Sequence, residues 1–391
     1  MVRTSRVVVV GAGVFGVSAA LSLVSRGFAV EVFDPGPIPR PEAASTDISK
    51  IVRMDYGGDA LLTELAEGAL PRWREWNRRW RQELFHGVGF LALSKGPFRP
   101  GGFEHDSMQT LSARGFALER LTGSALTSRF PAWDAALYPD AYFNSEAGWV
   151  ESGRALARMI EDARVAGVRV HAGEGFSGWV ESSGRINGIL TTGGRRIEGD
   201  VVLLTAGAWT PVLAPWLDRW MWPVAQPVFH LKPDDPEPWR APHFTVWVAS
   251  IAETGWYGFP ANAEGIVKIA NHGPGRRVHP DAPRLLEPGD EARLRSFLKE
   301  SLPGLETAPL VFAKTCLYCD AFDGDFLIGP DPERPGLVVA AGDSGHGFKF
   351  APVLGDVIAD AIEGKRSKYT ERFGWRTPAG RKAESARWGL S

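Results

Sequence analysis

The sequence predicts a two-domain protein, with an α/β domain built on a parallel sheet and a second, α+β domain that contains its own sheet. A strand, a glycine-rich turn, a helix and another strand follow one another at the N-terminus, as is typical of the first kind of domain. The chain of 391 residues also exceeds the size at which one hydrophobic core stops growing. We expect the first domain to be discontinuous, with residues 1–84, 146–215 and 311–391, and the second, richer in Pro and Trp, to comprise residues 85–145 and 216–310.

The composition is that of an ordinary globular protein, with 44% hydrophobic and 23% charged residues. A formal net charge of −2 gives no electrostatic reason to expect nucleic acid or an anionic membrane as a partner. The apolar N-terminal run superficially resembles a signal peptide, but glycines at fixed spacing interrupt it, and no run of 18 apolar residues occurs elsewhere. We therefore expect a cytoplasmic protein without a membrane span.

The N-terminal unit begins with "VVVV" (7–10), a β-branched run that suits a strand buried on both faces of a parallel sheet. A helical pattern covers residues 14–26 and ends at Gly27, and "AVEVFD" (29–34) alternates as a second strand. These elements predict a Rossmann-like βαβ unit.

The turn "GAGVFG" inside this unit carries the dinucleotide-binding fingerprint. Gly11 allows the tight turn, Gly13 lets the backbone approach a pyrophosphate, and Gly16 lets the helix pack closely on the strand. The helix N-terminus supplies N–H donors and a positive dipole end. Asp34 closes the second strand and is placed to accept hydrogen bonds from a ribose, which argues against a 2′-phosphate. The fingerprint alone leaves NAD and FAD open.

Three later segments carry a resemblance to a known family. They are "EAASTDISKIVRMDYGGD" (42–59), "WYGFPANAEGIVKIANHG" (256–273) and "TCLYCDAFDGDFLIGPDPERPGLVVAAGDSGHGFKFAPVLGDVIADAIEG" (315–364). In this order they resemble segments of the sarcosine oxidase and fructosyl amino acid oxidase (amadoriase) family of FAD-dependent amine oxidases. The resemblance implies FAD as the cofactor and a fold of the D-amino acid oxidase/sarcosine oxidase type.

The resemblance also implies roles for individual residues. Arg53, a planar two-point donor, and Lys349, a point charge, are expected to bind the carboxylate of an amino acid substrate together with Tyr56. Lys268 is expected to activate oxygen, because a cation beside the flavin stabilises negative charge that develops on oxygen.

Tyr257 and His272 are expected to act in the substrate pocket near Lys268. His272 matches the sarcosine oxidase pattern, whereas Asp343 matches the amadoriase pattern, so the implied substrate stays open.

The expected cofactor-binding residues come from the glycine turn and the strand after it, the segment 42–59 (called the early loop below), the small-residue turn "TAGAW" (205–209), the C-x-x-C segment and the C-terminal glycine-rich turn (342–347). They are Gly11, Gly13, Val14, Phe15, Gly16, Asp34, Ser45, Thr46, Lys50, Ala206, Gly207, Trp209, Cys316, Gly342, Gly345, His346, Gly347, Phe348 and Lys349. No His, Cys or carboxylate spacing indicates a metal site.

Cys316 and Cys319 are the only cysteines, so a disulfide scaffold is impossible. Their C-x-x-C spacing could mark a redox disulfide, half of a metal site or two packed thiols; no second ligand pair supports zinc, and the context is not thioredoxin-like. The family resemblance implies a further role for Cys316, a thioether to the 8-methyl carbon of the flavin. Cys319 is then a small packed neighbour.

The expected activity is oxidation of an N-alkylated α-amino acid to an imine with formation of hydrogen peroxide, in a monomer or small homo-oligomer. N-methyl amino acids, pipecolate- or saccharopine-like compounds and fructosyl amino acids are the expected substrate types. The alternatives are a dehydrogenase of the same fold, an NAD-dependent oxidoreductase and a non-catalytic binding module. Trp73, Trp76 and Trp80 are expected to form a core-packing stripe, and the basic tail after Lys365 a solvated arm.

Overall fold

The computed structural model describes residues 4–380 and 386–387. The strands of this part of the chain form two large and two small sheets. In chain order the strands are β1 Arg6–Val10, β2 Ala29–Asp34, β3 Lys50–Val52, β4 Phe85–His86, β5 Phe90–Ser94, β6 Leu118–Leu121, β7 Asp140–Asn144, β8 Gly148–Val150, β9 Arg169–Ala172, β10 Phe176–Ser182, β11 Arg185–Thr191, β12 Arg196–Glu198, β13 Val201–Leu204, β14 Met221–Leu231, β15 Val246–Ala249, β16 Trp256–Gly258, β17 Val267–Asn271, β18 Arg276–Arg277, β19 Leu310–Ala321, β20 Leu327–Pro330 and β21 Leu337–Ala341.

Helices connect and cover these sheets. The α-helices are α1 Val14–Ser25, α2 Ala60–Trp80, α3 Phe103–Ala113, α4 Ser124–Arg129, α5 Ser152–Val165, α6 Thr210–Leu213, α7 Ile251–Thr254, α8 Asp290–Ser301, α9 Ala351–Ile362 and α10 Lys368–Arg372. Short 3-10 helices lie at Gly207–Trp209, Pro215–Leu217, Glu237–Trp239, Pro303–Leu305 and Phe348–Phe350.

The first large sheet has six strands in the order β20-β21-β13-β1-β2-β9. All neighbours are parallel except β20, which runs antiparallel to β21 at one edge. The valines of β1 alternate between two hydrophobic clusters: Val7 and Val9 pack with residues of α1, α5 and α9, and Val8 and Val10 pack with residues of β11 and β12. Burial on both faces explains the uninterrupted apolar run. The predicted fold class is confirmed.

The second large sheet has nine strands. Eight of them follow the order β18-β14-β17-β16-β15-β5-β7-β6, and the ninth, β19, pairs with β14. One face packs against α8 and carries residues such as Phe229, Trp247 and Ile269. Side chains alternate between the faces of a strand, so Lys268, Ala270 and the polar residues in register with them lie on the opposite face. This opposite face, called the site face below, carries much of the candidate site.

Residues 372–376 and Arg387 are packed onto the protein, so the prediction of a solvated arm is wrong for these parts of the tail. Arg372 bonds Asp325 at 2.7 and 2.9 Å and Asp59 at 3.1 Å, and Phe373 is fully buried. Arg387 is also buried, 3% exposed. Arg372, Arg376 and Arg387 pair with acids that lie far away in the sequence, which composition alone does not reveal.

The tryptophan stripe on α2 packs in the core as predicted, with Trp73 and Trp80 buried. In the described part of the chain, no helix has the length and apolarity that crossing a membrane requires.

Candidate active site

Predicted site residues line two cavities, and the larger of these two, of about 320 Å3, lies where the fingerprint turn leaves β1. Its polar wall is fixed by two side chains that hold the turn. The Asp34 carboxylate accepts hydrogen bonds from Ala12 N at 3.0 Å and Gly36 N at 3.2 Å, and Ser45 Oγ accepts one from Val14 N at 3.0 Å. The end of β2 and the early loop therefore orient the start of α1 toward the cavity.

Two glycines of the turn are sterically required. Gly11 has φ +108°, and a Cβ there would lie 2.6 Å from Thr205 O. A Cβ at Gly16 would lie 2.0 Å from Gly11 O. The Thr205 hydroxyl is within 3.0 Å of both Val10 O and Gly11 O and ties β13 to the turn. Any larger residue at either position would push α1 away from the sheet.

These features fit a dinucleotide. The first turn of α1 presents backbone N–H groups and the positive end of the helix dipole at the cavity wall. Asp34 stands at the end of the second strand, and Trp209 and Arg40 flank the opening, with the guanidinium carbon 4.4 Å from the ring centroid. The remaining lining is largely backbone and apolar side chain, as suits a flat aromatic ligand.

A smaller cavity, of about 60 Å3, lies beside the glycine-rich turn after β21. Cations, aromatic rings and a few apolar side chains form its wall. The lining residues are Lys50, Ile51, Arg53, Val248, Ile251, Tyr257, Phe259, His272, Tyr318, Gly345, His346, Phe348 and Lys349.

Arg53 is a desolvated cation in this wall. The residue is 4% exposed, and its guanidinium carbon lies 5.1 Å from the ring centroids of both Tyr56 and Phe103. Its Nη1 has no hydrogen-bond partner among the described residues. A buried guanidinium nitrogen without a partner is costly, and an anionic ligand would satisfy it.

Lys349 belongs to a hydrogen-bonded chain of three side chains. His346 Nε2 lies 3.0 Å from Gly324 O, and because a carbonyl only accepts, this nitrogen carries the proton. Nδ1 therefore accepts from Tyr56 OH at 3.1 Å, and Tyr56 Oη accepts from Lys349 Nζ at 2.8 Å. Lys349 Nζ also donates to His346 O at 3.0 Å. This network fixes the ammonium at the cavity wall and gives His346 its tautomer.

Lys349 is also braced from behind by α2. Trp73 Nε1 donates to Lys349 O at 2.8 Å, and the Trp73 and Phe348 rings stack at 6.1 Å between centroids. Lys349 is 5% exposed, so the predicted apolar setting is confirmed.

Tyr257, His272 and Tyr318 form an aromatic wall on the site face. The hydroxyls of Tyr257 and Tyr318 are 3.5 Å apart, and the His272 and Tyr318 ring centroids are 5.7 Å apart. Burial raises the pKa of both tyrosines, so both hydroxyls stay protonated at neutral pH. Tyr318 was not predicted from the sequence, although it lies between the two cysteines of the C-x-x-C segment.

Lys268 projects from β17 and is 1% exposed, which confirms that it is not a lysine facing water. Its ammonium donates to Asp47 Oδ2 at 2.7 Å and to Ser49 O at 2.6 Å. The sequence did not single out Asp47, although it stands in the early loop between two predicted cofactor-binding residues.

Cys316 and Cys319 are free thiols that lie three residues apart on β19 and therefore face opposite sides of the sheet. Cys316 Sγ is 4.0 Å from Lys50 Nζ. Burial works to lower the pKa of Lys50, but Cys316 and Asp47 raise it and the net shift is upward. A permanently charged ammonium therefore stands beside Cys316.

The predicted residues divide between the two cavities. Those that line the larger cavity are Gly11, Gly13, Val14, Phe15, Asp34, Ser45, Ala206, Gly207, Trp209 and Gly342. Those that line the smaller one are Lys50, Arg53, Tyr257, His272, Gly345, His346, Phe348 and Lys349. The linings do not include Gly16, Thr46, Tyr56, Lys268, Cys316 and Gly347.

Three residues of this third group support one of the cavities from behind. Tyr56 holds Lys349, as described above, Gly16 packs on Gly11, and a Cβ at Gly347 would lie 2.7 Å from the Phe15 ring.

Comparison with known proteins defines the class. The model of the family described as DAO, FAD dependent oxidoreductase, matches residues 6–361. The chain belongs to this family, and it is an FAD-dependent oxidoreductase.

Among individual proteins, the chain is similar to monomeric sarcosine oxidase of Bacillus sp. (strain B-0618), with 27% identity over 95% of this chain and 96% of that protein. It is 27% identical to L-saccharopine oxidase of Schizosaccharomyces pombe, over 98% of this chain and 95% of that protein. Its structure is similar to that of amadoriase I, a fructosyl amine:oxygen oxidoreductase of Aspergillus fumigatus, with a TM-score of 0.79, 27% identity and coverage of 95% of this chain and 90% of that chain.

Proposed function

We propose that the protein is an oxidase of secondary α-amino acids that uses FAD and oxygen. The observation that carries the proposal is the buried cation pair, Arg53 and Lys349, in the wall of the smaller cavity. One of these two cations has a guanidinium nitrogen without a hydrogen-bond partner among the described residues, and an anion would satisfy it. The relatives named above act on amines that carry a carboxylate or on fructosyl amines. In this reaction the substrate loses a hydride from carbon and a proton from nitrogen, and oxygen leaves as hydrogen peroxide.

We propose that the larger cavity holds the cofactor. Asp34 would accept from a ribose, Gly11 and Gly13 would let the pyrophosphate approach the backbone, and α1 would direct its dipole at the phosphates. FAD, when bound, supplies the acceptor for the hydride. Strand β19 would run beside it, because Leu317 lines the larger cavity and Tyr318 the smaller one. The thioether through Cys316 and the division into two domains are part of this proposal.

The protein's own residues would bind and orient the substrate. Arg53 offers two parallel N–H donors to a carboxylate, and Lys349 adds a charge whose position is fixed by Tyr56 and His346. Tyr257 and His272 face the same space from the site face. With the carboxylate held on one side and these groups on the other, the bond between carbon and nitrogen has one orientation.

The walls of the smaller cavity favour a compact, apolar N-substituent. Val248, Ile251 and Phe259 contribute hydrocarbon surface, and no carboxylate lines this cavity in the described part of the chain. Asp343 lines the larger cavity instead, where its Oδ1 accepts from Cys319 N at 2.9 Å. We therefore propose N-methyl and cyclic secondary amino acids as better substrates than fructosyl amino acids, whose sugar hydroxyls require polar partners.

A peroxide-coupled screen of the purified protein tests the proposal. The panel comprises sarcosine, N-methyl-L-tryptophan, pipecolate, saccharopine, fructosyl-glycine and common primary L-amino acids. We expect peroxide from at least one secondary amino acid and a higher kcat/KM for N-methyl or cyclic compounds than for fructosyl-glycine. The proposal would be contradicted if no secondary amine gave either peroxide or anaerobic bleaching of the flavin. Bleaching with dye reduction but no peroxide would instead identify a dehydrogenase.

A further inference from the structure

The buried side chains of Lys268, Asp47 and His230 lie in a row at the site face. The carboxylate of Asp47, whose side chain is 2% exposed, accepts from Lys268 Nζ through Oδ2 at 2.7 Å. Its other oxygen, Oδ1, lies 3.5 Å from His230 Nε2. His230 on β14 is the register partner of Lys268 on β17, so the two side chains stand next to each other under the same carboxylate.

The backbone of Asp47 is held in place as firmly as its side chain. Gly153 N and Ser152 Oγ, at the start of α5, each donate to Asp47 O at 2.9 Å. A Cβ at Gly153 would lie 3.3 Å from the same oxygen, so helix and loop are in close contact. Asp47 is therefore anchored by a helix of the first domain while its carboxylate reaches a strand of the large mixed sheet.

The pKa shifts of the two residues indicate that the Asp47 carboxylate keeps Lys268 charged. Burial lowers the pKa of Lys268 to about 8, Asp47 opposes that shift by attraction and by its hydrogen bond, and the cation Lys50 adds to it. Burial would raise the pKa of Asp47, but Lys268, His230 and Lys50 hold it well below its usual range. The carboxylate is thus charged across the neutral range and is the principal group that keeps a desolvated ammonium protonated.

We propose that Asp47 is a positioning residue that keeps Lys268 charged and aimed for the reduction of oxygen. This inference rests on the proposed function and on the role expected for Lys268 from the sequence, the stabilisation of negative charge that develops on oxygen. Asp47 acts through Lys268 and touches neither oxygen nor substrate. The other charged or titratable groups near this row are Lys50, beside Asp47, the Cys316 thiol, which acts to raise the pKa of Lys268, and Lys314, which lies 5.9 Å from the ring of Phe312 on the far side of His230.

Separate measurement of the two half-reactions, oxidation of the substrate and reaction of the reduced enzyme with oxygen, distinguishes a positioning role of Asp47 from a merely structural one. Oxidation of the substrate depends on Arg53, Lys349 and the cofactor, whereas reaction of the reduced enzyme with oxygen depends on the Lys268 charge. The rate with oxygen should therefore fall as pH rises through the pKa of Lys268, about 8. In Asp47→Asn this fall should move to lower pH, while anaerobic bleaching of the enzyme by substrate keeps its rate.

The first readout is lysine titration by NMR of the holoenzyme labelled with [ε-13C]lysine, which is practical because the chain has ten lysines. Comparison with Lys268→Met assigns the signal. We expect Lys268 to titrate at least one pH unit lower in Asp47→Asn than in the unaltered enzyme. In Asp47→Glu, which keeps the negative charge, the pKa of Lys268 should stay close to its value in the unaltered enzyme. Glu42→Gln, which removes an exposed acid of the same loop, should leave the titration unchanged.

The second readout is stopped-flow mixing of the reduced enzyme with oxygen. A downward shift of one unit from about 8 reduces the charged fraction at pH 8 from about one half to about one tenth, so the rate should fall about fivefold. An unshifted Lys268 titration in Asp47→Asn would overturn the proposal, as would a shifted titration with an unchanged oxygen profile. The titration needs no substrate, so an enzyme inactive on every amine would count against the proposed function alone.

Discussion

Arg53 and Lys349 differ in how they are held, although both are buried cations of the same small cavity. Arg53 is surrounded by aromatic faces and keeps Nη1 without a partner among the described residues. Lys349 is fixed by Tyr56 Oη and His346 O. An incoming carboxylate would meet the guanidinium of Arg53 on one side and the pre-positioned ammonium of Lys349 on the other, so the two residues make separable contributions.

Lys349→Met tests the contribution of the point charge. Loss of a hydrogen bond to a charged group costs about 1.5–3 kcal/mol, so kcat/KM for the best amino acid substrate should fall about 10- to 100-fold. Steady-state kinetics with that substrate and with a secondary amine that lacks a carboxylate provide the measurement. The amine should be unaffected, and Lys365→Met, whose side chain is 59% exposed, should behave as the unaltered enzyme. Equal losses for both substrates would contradict a carboxylate-binding role.

Cys316→Ser tests the proposed thioether. After precipitation with acid, the unaltered protein should give a yellow pellet, because a covalent flavin stays with the denatured chain. Cys316→Ser should leave the colour in the supernatant, whereas Cys319→Ser, on the opposite face of β19, should again give a yellow pellet. A colourless pellet from the unaltered protein would refute the link.

At the scale of single elements, the contact between α1 and β1 decides whether the larger cavity can form. The helix approaches so closely that only glycine fits at position 16, since a Cβ would lie 2.0 Å from Gly11 O. A backbone atom stands in the way, so no side-chain rotation can relieve the clash. The geometry of the larger cavity thus requires a residue without a Cβ at position 16.

Gly16→Ala should lower the free energy of unfolding by about 1–3 kcal/mol through overpacking. The helix would have to move away from the sheet, so the flavin content of the purified protein should fall as well. Thermal unfolding and the ratio of absorbance at 450 and 280 nm give the two measurements. Gly58→Ala is a matched control, because a Cβ at Gly58 has nothing within 4 Å. Retention of both stability and flavin by Gly16→Ala would show that the helix is free to shift.

The elements that the sequence predicted well are those whose signals are local. The run of valines in β1, the glycine turn and Asp34 lie within 30 residues of one another, and their order alone specifies the unit. The buried state of Lys349 could likewise be inferred from its apolar neighbours. The roles of these residues in binding stay predictions.

Asp47, His230 and Tyr318 could not be singled out in the same way. Asp47 meets Lys268 across 221 positions of sequence, and His230 reaches it only because β14 and β17 pair in one particular register. Such contacts are set by tertiary pairing, which leaves no periodic signal in the residues themselves. The contacts of the packed tail were not predicted for the same reason, since its acidic partners Asp59, Asp323 and Asp320 lie far away in the sequence.

At the scale of the whole molecule, Arg387 connects three separate parts of the chain. Its guanidinium bonds both oxygens of Asp320, at 2.8 and 3.1 Å, and Nε donates to Gly273 O at 2.7 Å. Nη1 also lies 3.3 Å from Ser344 O. The C-terminal segment is thereby tied to β19, to the residue after His272 and to the glycine-rich turn.

Arg387→Met should destabilise the protein by about 3–5 kcal/mol, because it removes one member of a buried ion pair. The double variant Arg387→Met/Asp320→Asn should lose less than the single variant, since the carboxylate is no longer charged. Urea unfolding followed by tryptophan fluorescence measures both. Arg366→Met, whose side chain is 88% exposed, should unfold at the same urea concentration as the unaltered protein. A single variant as stable as the unaltered protein would contradict the anchoring role of Arg387.

The alternation of side chains on the large mixed sheet has a consequence for how such an enzyme diversifies. A shift of the whole of β17 by one residue against its neighbours would turn Lys268 and Ala270 together onto the face that packs against α8. Val248 and Ile251, in contrast, can be exchanged one at a time without changing any strand register, and both line the smaller cavity. Single exchanges at these two positions would therefore change the wall of the smaller cavity alone, whereas a shift of strand register would displace several side chains of the site face at once.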